Sequence, residues 1–187
     1  MKSRARPGVK FGASITKRPG LAARALMHGR WTVRCIRPDG SERWSDTFDN
    51  LVVNEGLDHL LDVTLSNATQ VNPWYIGLLA ATPSPAAGWV AANLAAVDFV
   101  DYDEATLPSF GDNAVSSQSV ANGTTADFSI NADSSTIGGA YLISTSAKAT
   151  PAGTLYAAGA FTGGNKAADS GDTLQVTATF TAADDGV

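Results

Sequence analysis

Between Arg30 and Phe48 the side chains alternate in character with a period of two, and nothing else in the chain restricts its fold as strongly. Trp31, Val33 and Cys35 alternate with Thr32, Arg34 and Ile36; beyond Pro38-Asp39-Gly40, Glu42, Trp44, Asp46 and Phe48 alternate with Arg43, Ser45 and Thr47. Successive side chains of a strand point to opposite faces, so this period buries one face of a strand and would scatter around a helix. Proline fixes φ and glycine accepts a positive one, so the intervening tripeptide reverses the chain. The segment reads as a β-hairpin.

The same reading predicts further strands over 74–79, 97–102, 126–131, 137–144, 154–161 and 173–181. Phe128 and Ile130 share one face, as do Leu174, Val176, Ala178 and Phe180, with polar residues between them. One helix interrupts the series, near 55–66. Asn54 is placed to cap it, Glu55 sits in the first turn, and Leu57, Leu60, Leu61 and Leu65 recur at helical spacing. Strands with a polar outer face pack in antiparallel sheets, because parallel strands are covered on both sides. The expected fold is mainly β: about eight strands with one face buried, in an antiparallel β-sandwich of jelly-roll or immunoglobulin-like type. Residues 81–95 and 103–124, rich in small and polar residues, are expected as long loops. Gly138-Gly139 suggests close strand packing or a bulge.

Charge divides the chain at its first quarter. Lys2, Arg4, Arg6, Lys10, Lys17, Arg18, Arg24, Arg30, Arg34 and Arg37 precede the first acidic residue, Asp39; the rest of the chain carries three basic residues against all 18 acidic ones. The formal net charge of -5 hides this polarity. Residues 1–29, with their Pro-Gly breaks and few large apolar side chains, are expected as an extended basic N-terminal arm, and 30–187 as one β domain. A chain of 187 residues could bury roughly 70% of its unfolded surface, enough for one core. No apolar run approaches the ~20 residues that span a bilayer, so no membrane partner is expected. The first residues lack the apolar stretch of a secretory signal, and Cys35, the one cysteine, cannot form an internal disulfide.

Candidate chemistry is sparse. His28 and His59 are the only histidines, and a zinc site would need carboxylates to complete three ligands. His59, between Asp58 and Asp62, reads as a solvated residue paired with a neighbour. Asp98, Asp101, Asp103 and Glu104 carry oxygen ligands suited to calcium but lack the spacing of a calcium loop, so they read as a solvated acidic edge. No nucleophile elbow or phosphate loop occurs. Accordingly no catalytic, metal or cofactor-binding residue is expected, and a glycan hydrolase using paired carboxylates is the weakest reading. Trp31, Trp44 and Trp74, with Tyr75 and Tyr102, read as core or interface mass. Trp89 stands in the small-residue run Ala86-Ala87-Gly88-Trp89-Val90, outside any strand period, and reads as the anchor of a subunit contact.

The hairpin W-T-V-R-C-I-R-P-D-G-S-E-R-W, the run N-L-V-V-N-E-G-L-D-H-L-L-D at 50–62, W-Y-I-G-L at 74–78, I-G-G-A-Y-L at 137–142 and G-D-T-L-Q-V-T at 171–177 together resemble small virion proteins of tailed bacteriophages. The resemblance implies a non-enzymatic virion component made in the bacterial cytoplasm, with other virion proteins and itself as partners. The expected role is a head decoration or cement protein, bound to the shell through its β body and arm. On this reading Arg4, Arg6, Lys10, Lys17, Arg18 and Arg24 pair with carboxylates of neighbouring subunits, and Phe11, Ile15 and Leu21 fill apolar pockets. Two alternatives stand beside it: a tail, head-tail joining or fibre-associated component, and a nucleic-acid-binding protein whose arm neutralises phosphates.

Overall fold

The structure, a computed structural model, describes residues 25–149 and 152–184. The hairpin is its centre. Strand β1 (Ala25–Ile36) and strand β2 (Glu42–Val52) pair antiparallel from Gly29↔Asn50 to Cys35↔Trp44, with a register shift before Ile36↔Glu42. Gly40 takes φ +84, and its N–H donates to Arg37 O at 2.9 Å. Asp39 Oδ1 accepts from Ser41 N at 2.9 Å and Ser41 Oγ at 2.6 Å, which fixes the turn through its own side chain. Trp31, Val33 and Cys35 are wholly buried, as their period requires. Burying side chains of the size of Val33 contributes about 1.5–3 kcal/mol each.

β1 begins five residues earlier than the alternation suggested. Ala25 to Ile36 runs in unbroken register beside strand β10 (Thr173–Asp184), from Ala25↔Asp184 to Ile36↔Thr173. Residues 25–29, expected in the arm, are therefore strand, and β1 is flanked on both sides. The arm residues Arg4, Arg6, Lys10, Phe11, Ile15, Lys17, Arg18, Leu21 and Arg24 lie outside the described residues.

The remaining strands are β3 (Tyr75–Ala80), β4 (Asp98–Phe99), β5 (Ser119–Ala121), β6 (Ala126–Ser129), β7 (Ser135–Ile143), β8 (Leu155–Ala160) and β9 (Lys166–Ala168). All pairings are antiparallel, and ten strands join in one open sheet of order β4-β3-β7-β8-β2-β1-β10-β5, with β6 also on β10 and β9 also on β7. β2 is the seam: it pairs with β1 as far as Asn50, then Leu51 and Val52 pair with Ala158 and Ala157 of β8. Flat, the sheet would hold β8 and β10 about 14 Å apart, three strand spacings. Yet the Tyr156 and Phe180 rings lie 5.5 Å apart, so the sheet curls over its own face. Phe180 also meets Trp31 and Phe110, each at 5.9 Å, and these rings mark the core inside the curl.

The expectation of one buried face fails for β3 and β7. Ile76 to Leu79 and Ile137 to Ile143 are buried without interruption. The residues expected as loops explain why. Pro83 lies against Gly138, where a Cβ would come within 2.3 Å of its ring, and the 3₁₀ turn Ala91–Ala96 buries Ala91 and Leu94. Further on, Leu107 and Phe110 are buried, with Phe110 N donating to Trp74 O at 2.7 Å. These segments cover the sheet instead of trailing through solvent. Close packing and a bulge both occur at the glycine pair: a Cβ on Gly139 would stand 2.0 Å from Gly159 O, and the β3–β7 register slips between Leu79↔Gly139 and Ala80↔Ile137.

Helix α1 (Asn54–Leu65) is the one α-helix among the described residues. Its cap is not Asn54: Val53 holds the capping position without a side-chain bond, and Asn54 N donates instead to Ala87 O at 2.8 Å. The helix stops where Asn67 enters the left-handed region at φ 61, with Ser66 and Ala68 N–H both bonded to Asp62 O. Gly56 is the residue α1 buries, and it rests on the backbone of Tyr156 in β8. Of the four leucines that mark the helix, Leu60 is half-buried and the other three face away from the core. Leu57, Leu61 and Leu65 are 37%, 55% and 80% exposed.

Candidate functional site

A group of polar and aromatic residues lines a groove where α1 meets the 86–90 segment. Three bonds hold α1 there: Val53 N to Tyr156 O at 3.1 Å, Asn54 N to Ala87 O at 2.8 Å, and Leu155 N to Glu55 Oε2 at 2.8 Å. Glu55 thus serves the amide of β8 and not only the helix dipole. The segment opposite is tightened by Trp89 N to Ala86 O at 2.9 Å and by Val90 N to Asn93 Oδ1 at 2.8 Å. Between the two walls lies an open groove of about 440 Å³, lined by Asn54, Glu55, Asp58, His59, Asp62, Gly88, Trp89, Val90 and Thr154.

The groove is acidic and one of its walls is aromatic. Glu55, Asp58 and Asp62 line it and no Lys or Arg does. Trp89 is half-buried: it packs on the core and also lines the groove. His59 differs from its sequence reading, because it is half-buried and meets Trp74 edge-on at 5.3 Å instead of standing in solvent beside a carboxylate. Trp74 in turn meets Tyr156 at 5.3 Å, so the ring series fixes one side of α1. With Gly56 and His59 turned toward the body, Leu57, Leu61 and Leu65 follow at intervals of four along the opposite side. Asp58 and Asp62, in the groove lining, stand next to that ridge. Carboxylates beside apolar side chains give this surface the chemistry to meet a segment carrying both cations and apolar residues.

The other acidic candidates do not come together. Asp98 is largely buried and accepts from Tyr141 Oη at 2.7 Å and from Ala149 N at 3.0 Å. Burial raises its pKa above the ordinary carboxylate range, against the lowering effect of Tyr141 and Ala149. Its charge in turn adds to the burial that pushes Tyr141 upward. Glu104 accepts from Ser129 N and Oγ, Asp103 accepts from Asn131 Nδ2 at 3.1 Å, and Asp101 is exposed. They clip separate loops and do not form a single edge. Among the described residues no three His, Cys, Asp or Glu side chains are grouped as a metal ion would require.

A second polar group is internal. Asp172, 1% exposed, accepts from Asp169 N at 3.0 Å and faces Arg43 Nε at 3.1 Å and Cys35 Sγ at 3.5 Å; Arg43 Nη1 reaches Asp169 at 2.7 Å. It pins the turn before β10 to the central hairpin. The tryptophans form no shared platform: Trp31 is core, and Trp44 Nε1 donates to Ala167 O at 2.7 Å. His28 is exposed on β1 opposite Thr181.

The sequence singles out Trp89, which lines the groove, but not its surroundings. Asp58, Asp62 and Thr154 are brought to it by the docking of α1 on β8, a contact between residues about a hundred apart. The one local signal was Gly56 within the apolar helix pattern, a residue that costs helix stability unless something must approach closely. Comparison with known proteins found no matching family model, no matching curated protein and no matching solved structure.

Proposed function

We propose that the chain is a non-enzymatic structural component of a tailed-bacteriophage virion, a head decoration or cement protein that binds the shell and neighbouring subunits. The observation that carries this reading is the presence, in one chain, of an acidic, leucine-ridged surface on α1 and of a basic N-terminal sequence. A protein built to associate repeatedly needs complementary surfaces more than it needs reactive groups. The sequence stretches that resemble small virion proteins support it: they form the β1–β2 hairpin, the passage from β2 into α1, and parts of β3, β7 and β10, which are the packing elements of the body. The body itself we read as a β-sandwich of jelly-roll or immunoglobulin-like type, supported by the Tyr156–Phe180 approach across the curl.

In a particle, affinity would come from repetition. One exposed ion pair contributes about 0–1 kcal/mol, so a lattice of weak contacts is the economical way to use such an arm. Expression with particle-forming genes, followed by particle purification, tests the role. The chain should co-purify in hundreds of copies per particle, and deletion of residues 1–24 should abolish incorporation while the body stays folded. A handful of copies would point to the tail or head-tail junction instead, and incorporation unaffected by the deletion would remove the arm from assembly.

A further inference from the structure

We infer that the outer face of α1, with Trp89, is the docking site for this chain's own N-terminal segment, residues 1–24. The contact forms within one chain before any partner is met.

The surface is unpartnered in a way that calls for an occupant. Leu57, Leu61 and Leu65 form a ridge along the helix, and Leu65 is 80% exposed. Leu51, at the end of β2 just before α1, is 40% exposed, and Leu26, at the start of β1, is 52% exposed. Exposed apolar side chains thus stand at the start of β1, at the end of β2 and along α1. Beside the ridge, Glu55, Asp58 and Asp62 put three carboxylates around the groove with no Lys or Arg to answer them.

The occupant follows from charge, length and place. Residues 1–24 hold seven Lys or Arg, no acid, and the apolar Phe11, Ile15 and Leu21. The other acid-free runs that carry cations and large apolar residues, 25–38 and 134–168, belong to the strands and turns of the body itself. A guanidinium from this segment can pair with Asp58 or Asp62 and lie over the Trp89 indole, an interaction that strengthens as water leaves. The segment joins the body at Ala25, two strands from β8, on which α1 rests. Two strand spacings are roughly 10 Å, against a reach of about 80 Å for 24 extended residues. With the segment already tethered, its effective concentration at the groove is of millimolar order, which makes the weak contact an intramolecular one. In an assembly the same surface would be released to a neighbour by exchange.

The test uses the full chain and limited trypsin digestion, read by mass spectrometry at Lys10, Lys17 and Arg24, since the bond from Arg18 to Pro19 resists trypsin. At low salt these sites should be protected, to the same degree at every protein concentration. The double variant Asp58→Lys, Asp62→Lys should cleave about tenfold faster there, the loss expected for two ion pairs and a repelled cation. Molar salt should have a similar effect on the unaltered chain. Leu61→Ser, on an exposed position that cannot unfold the body, should also raise cleavage, and circular dichroism checks that each variant stays folded. Equal cleavage in all forms would overturn the inference. So would protection that grows with concentration alongside dimers in sedimentation, because the dock would then belong to a second copy. Neither result bears on whether the chain enters particles, so this inference and the virion reading fail separately.

Discussion

Replacing Gly56 with alanine sets two physical effects against each other, and the structure decides the sign. Helix propensity alone favours Gly56→Ala by up to about 1 kcal/mol. The docked geometry opposes it: a Cβ at this position would stand 2.3 Å from Tyr156 O and 2.8 Å from Tyr156 Cα, both backbone atoms of β8. Neither can swing aside, so α1 must lift by the better part of an ångström. Lifting strains the bonds from Val53 N to Tyr156 O and from Leu155 N to Glu55 Oε2. Overpacking costs about 1–3 kcal/mol and a weakened hydrogen bond about 1 kcal/mol, so after the propensity gain the net loss is about 1–3 kcal/mol. For a chain of this size that lowers Tm by about 2–4 °C per kcal/mol. Urea denaturation followed by tryptophan fluorescence measures it, with Gly88→Ala as the control. A Cβ on Gly88 meets no atom within 4 Å, and that variant should change stability by no more than about 0.5 kcal/mol. A higher midpoint for Gly56→Ala would refute the reasoning at its root, since α1 would not rest on β8 through Gly56 and nothing would hold its leucines outward.

Three further outcomes follow from buried polar groups. Burial, and then Asp172, push the Cys35 thiol up to about 12 from 9.0, so the folded chain keeps a proton that the unfolded chain loses. Stability should therefore fall as pH rises through 9, by at most about 1.4 kcal/mol per unit, and Cys35→Ala should flatten the fall between pH 9 and 10; an unchanged slope by chemical denaturation would count against it. Asp172→Asn leaves Arg43 beside a neutral amide in place of a carboxylate, and because the Arg43 side chain is 25% exposed the expected cost is about 2 kcal/mol at neutral pH. A cost below about 0.5 kcal/mol would mean that Asp169 alone holds Arg43. Tyr141→Phe removes the 2.7 Å donor to Asp98, and should lower stability by about 1–2 kcal/mol and move the Asp98 carboxyl still higher in a carbon-detected NMR titration. A titration that stays in place would show that Tyr141 does not hold that carboxylate.

The hairpin was legible because a period of two and its turn residues are local signals. Trp31, Val33 and Cys35 face inward as their spacing demands, and Gly40 turns as glycine should. The helix was legible in extent, within one residue at each end, but not in orientation. Spacing says only that Leu57, Leu61 and Leu65 share a side; which side is buried is set by the one residue small enough to touch β8, Gly56. β3 and β7 were misread for a related reason. Their runs I-G-L-L and I-G-G-A-Y-L-I are continuous, the pattern of a strand covered on both faces, and the cover comes from low-complexity stretches such as Ala91–Ala96 that read as loops. The groove was invisible as a unit because Asp62, Trp89 and Thr154 meet only after α1 has docked.

An outward-facing leucine ridge also separates the two roles open to the basic segment. A segment made to grip nucleic acid gains from phosphate neutralisation alone, and its binding would be indifferent to the character of α1. A segment made to cover protein must displace water from apolar surface, at about 25 cal/mol per Å² of apolar area removed from water, and exposed ion pairs then choose the partner more than they hold it. Leu61→Ser therefore discriminates without touching a single charge. If it loosens residues 1–24 while leaving the net charge of -5 as it is, the cations work alongside apolar contact, which phosphate binding does not require. The acids at 58 and 62 then supply register, and the leucines between and beyond them supply the affinity.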